Sequence, residues 1–381
     1  MPDHDTAEGA DVMSPVVRKF VIAAMIVVLV PAAAMVFLGF LRWFGLGLRM
    51  EDEKTKTQYL IGAAENKARG EVERLLKLGI VAANAEDEFG YTALMGAAQG
   101  GDVDIVRMLI DSGASINATV RKSGAPRTPM GLTALMLTAQ QGHFEAARLL
   151  LDRGADPNPA IPEGDFKGQT ALFMAVLGGH LALVDAFLAK GARVDAQYVS
   201  PAGVFFIPLT VALRDNRLDI AERLVAHRAN VDWLVPSGEF AGCTQLMVLA
   251  TFRGAPASEQ TITWLARRTK LGMHRPLDGG CRGQLAFGLA VSAGNIAAVK
   301  GMLSPTVKGI VGRGMVDQVF LGAYYQGAIE AKNQPMADLL WEHFNRCKQQ
   351  PDCRVPGYPD LEKRGLRDVH VVLAIDGRMG Q

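Results

Sequence analysis

The chain is poor in several things that usually announce a function. Cysteine occurs four times in 381 residues, far below the density of a disulfide-built scaffold. Charge of neither sign dominates: 40 Lys and Arg face 39 Asp and Glu, and charged residues total 21%. The basic excess expected of a nucleic-acid binder is therefore missing. Aromatics are only 7% of the chain, and the short motifs that carry chemistry are missing too. There is no H-E-x-x-H for zinc, no G-x-S-x-G for a nucleophilic serine, no G-x-x-x-x-G-K for phosphates and no C-x-x-C. The glycine pairs Gly45/Gly47 and Gly312/Gly314 lack the third glycine and the strand-to-helix setting of a dinucleotide site. No cofactor is expected.

What is abundant is apolar residues, at 49%, and glycine, at 41 positions. The mean hydropathy is slightly positive, +0.13, and part of that excess is local. Phe20 to Leu41 carries no charge, and as a helix its 22 residues would span roughly 33 Å, about the thickness of a bilayer core. Arg18 and Lys19 flank one end, and Arg42 and Trp43 the other, where headgroups would lie. Pro31 falls mid-run and predicts a kink. This reads as a transmembrane helix over 20–41 after a short tail, 1–19, and before a linker, 42–56. The rival reading is a signal peptide with an A-x-A site at Ala32–Ala34, but cleavage there would leave an apolar MVFLGFL start. Two basic residues precede the run and four (Arg42, Arg49, Lys54, Lys56) follow it closely, which leans toward a cytoplasmic main domain. The opposite orientation stays open.

The rest of the chain repeats itself. GYTALMGAAQGGDVDIVRMLIDSGASINA from Gly90 is echoed by GLTALMLTAQQGHFEAARLLLDRGADPNP from Gly131 and GQTALFMAVLGGHLALVDAFLAKGARVDA from Gly168. Each unit resembles the ankyrin repeat. Once the T-A-L leucine sets the register, copies align at Leu60, Leu94, Leu135, Leu172, Leu209, Leu246, Phe287 and Tyr324, spaced by 34, 41, 37, 37, 37, 41 and 37. The usual period is ~33, so the extra residues are assigned to the fingers between helix pairs. Thr92 is suited to cap a first helix, Gly101 to end it, and Ile105, Val106, Leu109 and Ile110 recur at the spacing of an apolar helix face. Met or Phe stands where the family has the histidine of T-P-L-H, and the helix-ending glycine is replaced by Lys67 in the first unit and missing near Gly254 in the sixth. The resemblance implies an all-α ankyrin-repeat solenoid over 57–343, of about eight units with the last three divergent, then a C-terminal tail or cap over 344–381.

The resemblance also implies a non-catalytic protein–protein interaction module or scaffold. With the apolar run it becomes a membrane-tethered one, and the fifteen-residue linker, at most ~50 Å extended, favours a membrane-associated partner. A self-assembling structural role and an enzyme hidden in the divergent C-terminal third are the alternatives. By position in the unit, the outward residues expected to meet a partner are Tyr91, Gln99, Leu132, Gln140, Phe166, Tyr198, Phe206, Arg214, Phe240 and Phe252, with Gln141, Gln169, Phe205, Trp233 and Asp215 beside them. The aromatics among them equally suit contacts between lengthened fingers. The basic finger 121–127 and the sequon at Asn117 read as a solvated loop and a structural asparagine. His143 and His180 follow helix-ending glycines, where the family commonly has histidine. His343, Cys347, Cys353 and His370 have poor spacing for zinc. Disulfides Cys347–Cys353 and Cys243–Cys281 remain open, and oxidation of both would place the domain in an oxidising compartment.

Overall fold

The computed structural model describes residues 53–122, 129–251, 257–270, 286–304, 324 and 327–348. The chain divides into two units, Met1–Lys56 and Thr57–Gln381. The apolar run over 20–41, the tail 1–19 and most of the linker lie outside the described residues, as do Phe252, Cys281, Cys353, the glycines of both G-x-G fragments and the tail beyond 348. Among the described residues, no helix is long and apolar enough to cross a membrane.

The second unit is a succession of short antiparallel helix pairs. They are α1 (Glu53–Glu65, which begins just before the unit) with α2 (Arg69–Lys77), α3 (Ala93–Gly100) with α4 (Val103–Asp111), and α5 (Ala134–Gln141) with α6 (Phe144–Asp152). After these come α7 (Ala171–Gly178) with α8 (Leu181–Ala189), α9 (Pro208–Arg214) with α10 (Leu218–Ala226), α11 (Gln245–Thr251) with α12 (Glu259–Ala266), and α13 (Ala286–Ala293) with α14 (Ile296–Met302). Gln334–Lys348 forms α15.

Local chemistry sets the helix ends. Thr92, Thr133 and Thr170 lie in extended backbone, and their hydroxyls accept from the amides of Met95, Met136 and Phe173. Each satisfies one of the orphan N–H groups at a helix start. At the other end Gly101, Gly142 and Gly179 adopt left-handed backbone, φ 77°, 80° and 76°, which costs glycine little. Lys67 and Asn216 take the equivalent positions in the first and fifth pairs with φ 60° and 58°. A side chain there costs roughly 1–2 kcal/mol, less for asparagine.

First helices pack on first helices, α3 on α5, α5 on α7, α7 on α9, α9 on α11 and α11 on α13. Their contacts are lined by fully buried Ala97, Ala98, Ala139, Ala175, Ala212, Ala250 and Ala290. Backbones come close: a methyl group at Gly96 would sit 2.9 Å from the Ile61 carbonyl oxygen, and one at Gly100 2.7 Å from that of Glu65. Second helices form the other layer, burying Ile105, Val106, Leu109, Leu150, Val184, Phe187 and Leu224. Successive pairs are also stitched by polar groups. After two of the helix-ending positions a side chain reaches back to the preceding first helix: His143 Nε2 bonds the Gln99 carbonyl at 3.0 Å, and Arg217 donates to the carbonyls of Val176 and Leu177 at 2.8 and 3.2 Å. At the finger starts, Asn117 accepts from the Asp156 amide, Asn158 from that of Arg193, Asp195 from that of Asn230, and Asp232 from that of Lys270. These bonds satisfy backbone groups that helix ends leave without partners. The sequon asparagine thus belongs to a ladder between neighbouring units.

Truncating a fully buried second-helix residue should cost far more than removing one cap. Phe187→Ala is expected to lower the unfolding free energy by ~3–5 kcal/mol and Thr170→Ala by ~1 kcal/mol, both read from urea unfolding followed by circular dichroism.

Candidate partner-binding face

Register decides which side chains face solvent. Five residues after each register leucine stand Gln99, Gln140, Leu177 and Arg214, on the last turn of successive first helices. Gln140 is exposed, as is its neighbour Gln141, and Leu177 is 43% exposed. Gln99 and Arg214 are half-buried. Gln99 donates to Glu65 Oε1 at 3.1 Å, and the Arg214 guanidinium forks onto its neighbour Asp215 at 2.7 and 3.1 Å. Six residues before the leucine, at the finger, stand Phe166 and Phe240. Phe166 ends a single 3-10 turn, Gly164–Phe166, and is 40% exposed; Phe240 is half-buried against the core. Gln140, Leu177 and Phe166 are thus the most open side chains of the two columns among the third and fourth pairs.

A third column does not face outward as the sequence reading expects. Tyr91, Leu132, Gln169, Phe206 and Cys243 share one position, three residues before the register leucine. Leu132 is 2% exposed, Phe206 7% and Gln169 is buried; Tyr91 is half-buried. The next finger explains the change. Ile161 and Pro162 lie against Gly131, and the Gln197 carbonyl lies so close to Gly168 that a methyl group there would overlap it. A residue beside these glycines is therefore roofed by the following unit. In the fifth pair Phe205 replaces that glycine and forms a two-residue strand, β2 (Phe205–Phe206), antiparallel to β1 (Tyr198–Val199).

The aromatics of the lengthened fingers consequently pack on one another. Half-buried Tyr198 sits 5.0 Å from the Phe173 ring and 6.2 Å from that of Phe206, and its hydroxyl donates to the Asp165 carbonyl at 3.3 Å. Arg214 lies 6.0 Å over Phe206, and Trp233 is 8% exposed. Such ring pairs contribute about 0.5–1.5 kcal/mol beyond area burial. Of the two readings the sequence leaves open for Tyr198, Phe206 and Trp233, filling contacts between fingers is the one the geometry supports.

Sequence reasoning passed over Leu177, although its column, shared with Gln99, Gln140 and Arg214, carried the signal. It also missed a cleft. The turn between α11 and α12 is seven residues, where the other pairs use two or three, and Leu218, Asp219 and Glu222 of α10 line an open cavity of about 650 Å³ with Glu259, Gln260, Thr263, Trp264 and Arg267. Cys243 is fully buried and disulfide-bonded. In the basic finger, Arg121 pairs with Glu86. Among the described residues no His, Cys, Asp or Glu group is placed to hold a metal ion.

Tyr91 is the strongly perturbed titratable group. Its hydroxyl donates to Gln99 Oε1 at 3.0 Å; burial first, then the Glu65 and Asp87 carboxylates, push its pKa well above the usual phenol range. The folded state thus holds the Tyr91 proton to higher pH than the unfolded chain does. The corresponding stability is complete below pH ~10 and is lost as pH rises above it. Wild type is expected to lose stability between pH 9 and 11 more steeply than Tyr91→Phe, as urea midpoints at the two pH values would reveal.

The comparisons with known proteins bear on the same units. No curated protein matches the chain. A family model for ankyrin repeats, in three copies, matches residues 34–120 and 120–198, which takes in the pairs α1/α2 to α7/α8. The chain therefore carries ankyrin repeats, and with them a protein–protein interaction module.

Proposed function

We propose that this protein is a membrane-tethered, non-catalytic scaffold that holds a membrane-associated protein partner on the open columns of its repeats. The observation that carries the reading is the pair of large apolar side chains left in solvent within one unit, Phe166 on the finger and Leu177 on the helix end. Hydrogen-bonding glutamines Gln140 and Gln141 lie on the neighbouring unit. An apolar anchor ringed by polar groups matches the make-up of an interface core and rim. Half-buried Phe240 and Arg214 extend the same columns into later units.

Tethering rests on the run over 20–41, whose length, lack of charge and flanking cations suit a single bilayer crossing. A partner in the same membrane then meets the repeats at raised effective concentration. The absence of a chemical role is supported by how polar side chains are used. Thr92, Thr133 and Thr170 cap helices, Thr210 donates to Gln245 Oε1, and Gln245 Nε2 donates to the Asn230 and Val231 carbonyls. Between α10 and α12, the hydroxyl of Thr263 is shared between the carbonyls of Glu259 and Gly301.

The oxidised state of Cys243 favours a repeat unit on the oxidising side of the membrane, since such bonds persist there and are reduced in the cytosol. This reverses the orientation suggested by counting cations. Alkylating free thiols under denaturing conditions at the moment of lysis, then reducing and labelling again, should tag Cys243 only after reduction; tagging in the first step would return the repeats to the reducing side.

The binding face is tested with exposed residues, because Phe206 is a core side chain whose loss would confuse binding with folding. Phe166→Ala combined with Leu177→Ala should leave the melting temperature nearly unchanged, as surface changes usually do. Crosslinking from membranes should then lose a partner that wild type captures. An identical set of crosslinked proteins from the double variant would exclude this face.

A further inference from the structure

Second helices stack along the repeats, α2 on α4, α4 on α6, α6 on α8 and α8 on α10, and bonds between neighbours bring their carboxyl ends together. Arg153 pairs with Asp111 at 2.6 Å and Lys190 with Asp152 at 3.0 Å, while Asp195 accepts from the Asn230 amide and Asp232 from that of Lys270. The two ends of these helices differ in charge. Glu71, Asp104, Glu145, Asp219 and Glu259 lie in first turns. Lys190, Arg193, Arg228, Arg268 and Lys270 lie at or just past the ends of α8, α10 and α12, and all five are exposed. Of the carboxylates nearby, Asp152, Asp195 and Asp232 are taken up in the bonds just named, and Asp185 pairs with Arg223. Arg193 donates to the Asn158 carbonyl and Arg268 stacks on the Trp264 ring, contacts that leave both charges unneutralised.

Arg228 shows that this edge is more than a set of helix caps. Its position is held by Gly79, Gly113, Gly154 and Gly191 in the first four units, all in left-handed backbone, and a methyl group on any of them would meet nothing within 4 Å. Arg228 keeps that backbone, φ 68°, although glycine adopts it far more readily. The fifth unit therefore sends a guanidinium into open solvent where glycine would end the helix equally well. Attraction of cations to helix carbonyl ends accounts for Arg223 in the last turn of α10, but it falls off too quickly to account for Lys270, beyond the end of α12 at Ala266.

The same end of the helices leads toward the bilayer. α1 and α2 are antiparallel across a short turn, so α2 ends beside the start of α1. Only residues 42–52 separate α1 from the apolar run over 20–41. There α2 closes on Leu78, 66% exposed and the most open large apolar side chain among the described residues. The linker thus delivers the cationic end of the helices to lipid first. An anionic headgroup layer attracts cations held close to it and repels the carboxylates of the opposite end.

We infer that the edge formed by the carboxyl ends of the second helices lies on anionic lipid headgroups, with Lys190, Arg193, Arg228, Arg268 and Lys270 as the contacting cations and Leu78 entering the boundary of the acyl layer. This rests on the tethering reading above and gives the tethered repeats an orientation. Leu177, on the last turn of α7, lies at the opposite end of the helices and stays open to a partner.

The test uses the full chain reconstituted in vesicles of phosphatidylcholine alone or with an equal part of phosphatidylglycerol. Acetylation by a membrane-impermeant ester, followed by peptide mass spectrometry, compares Lys190 and Lys270 with Lys67, which sits in the α1–α2 turn at the opposite end. In anionic vesicles the first two should react roughly threefold or more slowly relative to Lys67 than in neutral ones, and about 0.5 M salt should remove the difference. Arg193→Gln with Arg228→Gly should melt close to wild type and lose much of that protection; undiminished protection would overturn the assignment. Equal ratios in the two vesicles, from a chain that resists alkaline carbonate, would overturn the edge and leave the tether standing. Release of the chain by carbonate would overturn the tether and the edge with it. Protection in native membranes but in neither vesicle would make the occupant an acidic protein and overturn the proposal likewise.

Discussion

Close approach between consecutive first helices is the constraint on which the rest of this protein depends. An eight-residue helix cannot bury enough surface to stand alone, and each unit here gains its core only by lying against the next. Alanine at the contact positions, with Gly96 and Gly100 set against the carbonyls of Ile61 and Glu65, brings the backbones near enough for that. The units are then locked by bonds that run from one repeat to its neighbour: imidazole and guanidinium onto helix-end carbonyls, and Asn117, Asn158, Asp195 and Asp232 onto the following finger. Stability in such an array is a sum of nearest-neighbour terms, so a locally altered junction changes one cleft without undoing the stack.

The α10–α12 junction is that case. Residues of α10 and α12 line an open groove there, and most of the side chains along it are charged or polar. Polar faces suit this opening, because an apolar wedge of that size would be closed by repacking or covered by another chain. The same reasoning separates the aromatic residues. Those of the lengthened fingers, Tyr198, Phe206 and Trp233, have neighbours to pack on and are largely withdrawn from solvent, whereas the side chains of Phe166 and Leu177 stay 40% and 43% exposed.

Much of the fold was legible in residues that act locally. The threonine caps, the left-handed glycines and the apolar faces of the second helices follow from backbone sterics and helical periodicity, and the register leucines Leu60, Leu94, Leu135, Leu172, Leu209 and Leu246 are all buried. The candidate face was legible only in part. Gln140 and Phe166 are exposed and Phe240 is half-buried on the packing side, but Leu132 is interior beside the next finger, and Phe206 is interior with Tyr198 and Arg214 packed on it. The cover over Gly131 and Gly168 is not revealed within a unit, since Pro162 and Gln197 belong to the next finger.

By itself, then, the amino-acid sequence determined the repeat, its period and its helix ends, because those are set by φ preferences, capping hydroxyls and spacing inside some three dozen residues. It also carried the apolar run over 20–41, whose reading rests on length and charge alone. Only the tertiary structure decided which columns stay in solvent, that Cys243 is bonded, and that one junction opens into a groove of mostly charged and polar side chains. Each of these depends on distances between units, and such distances are set by packing across a junction.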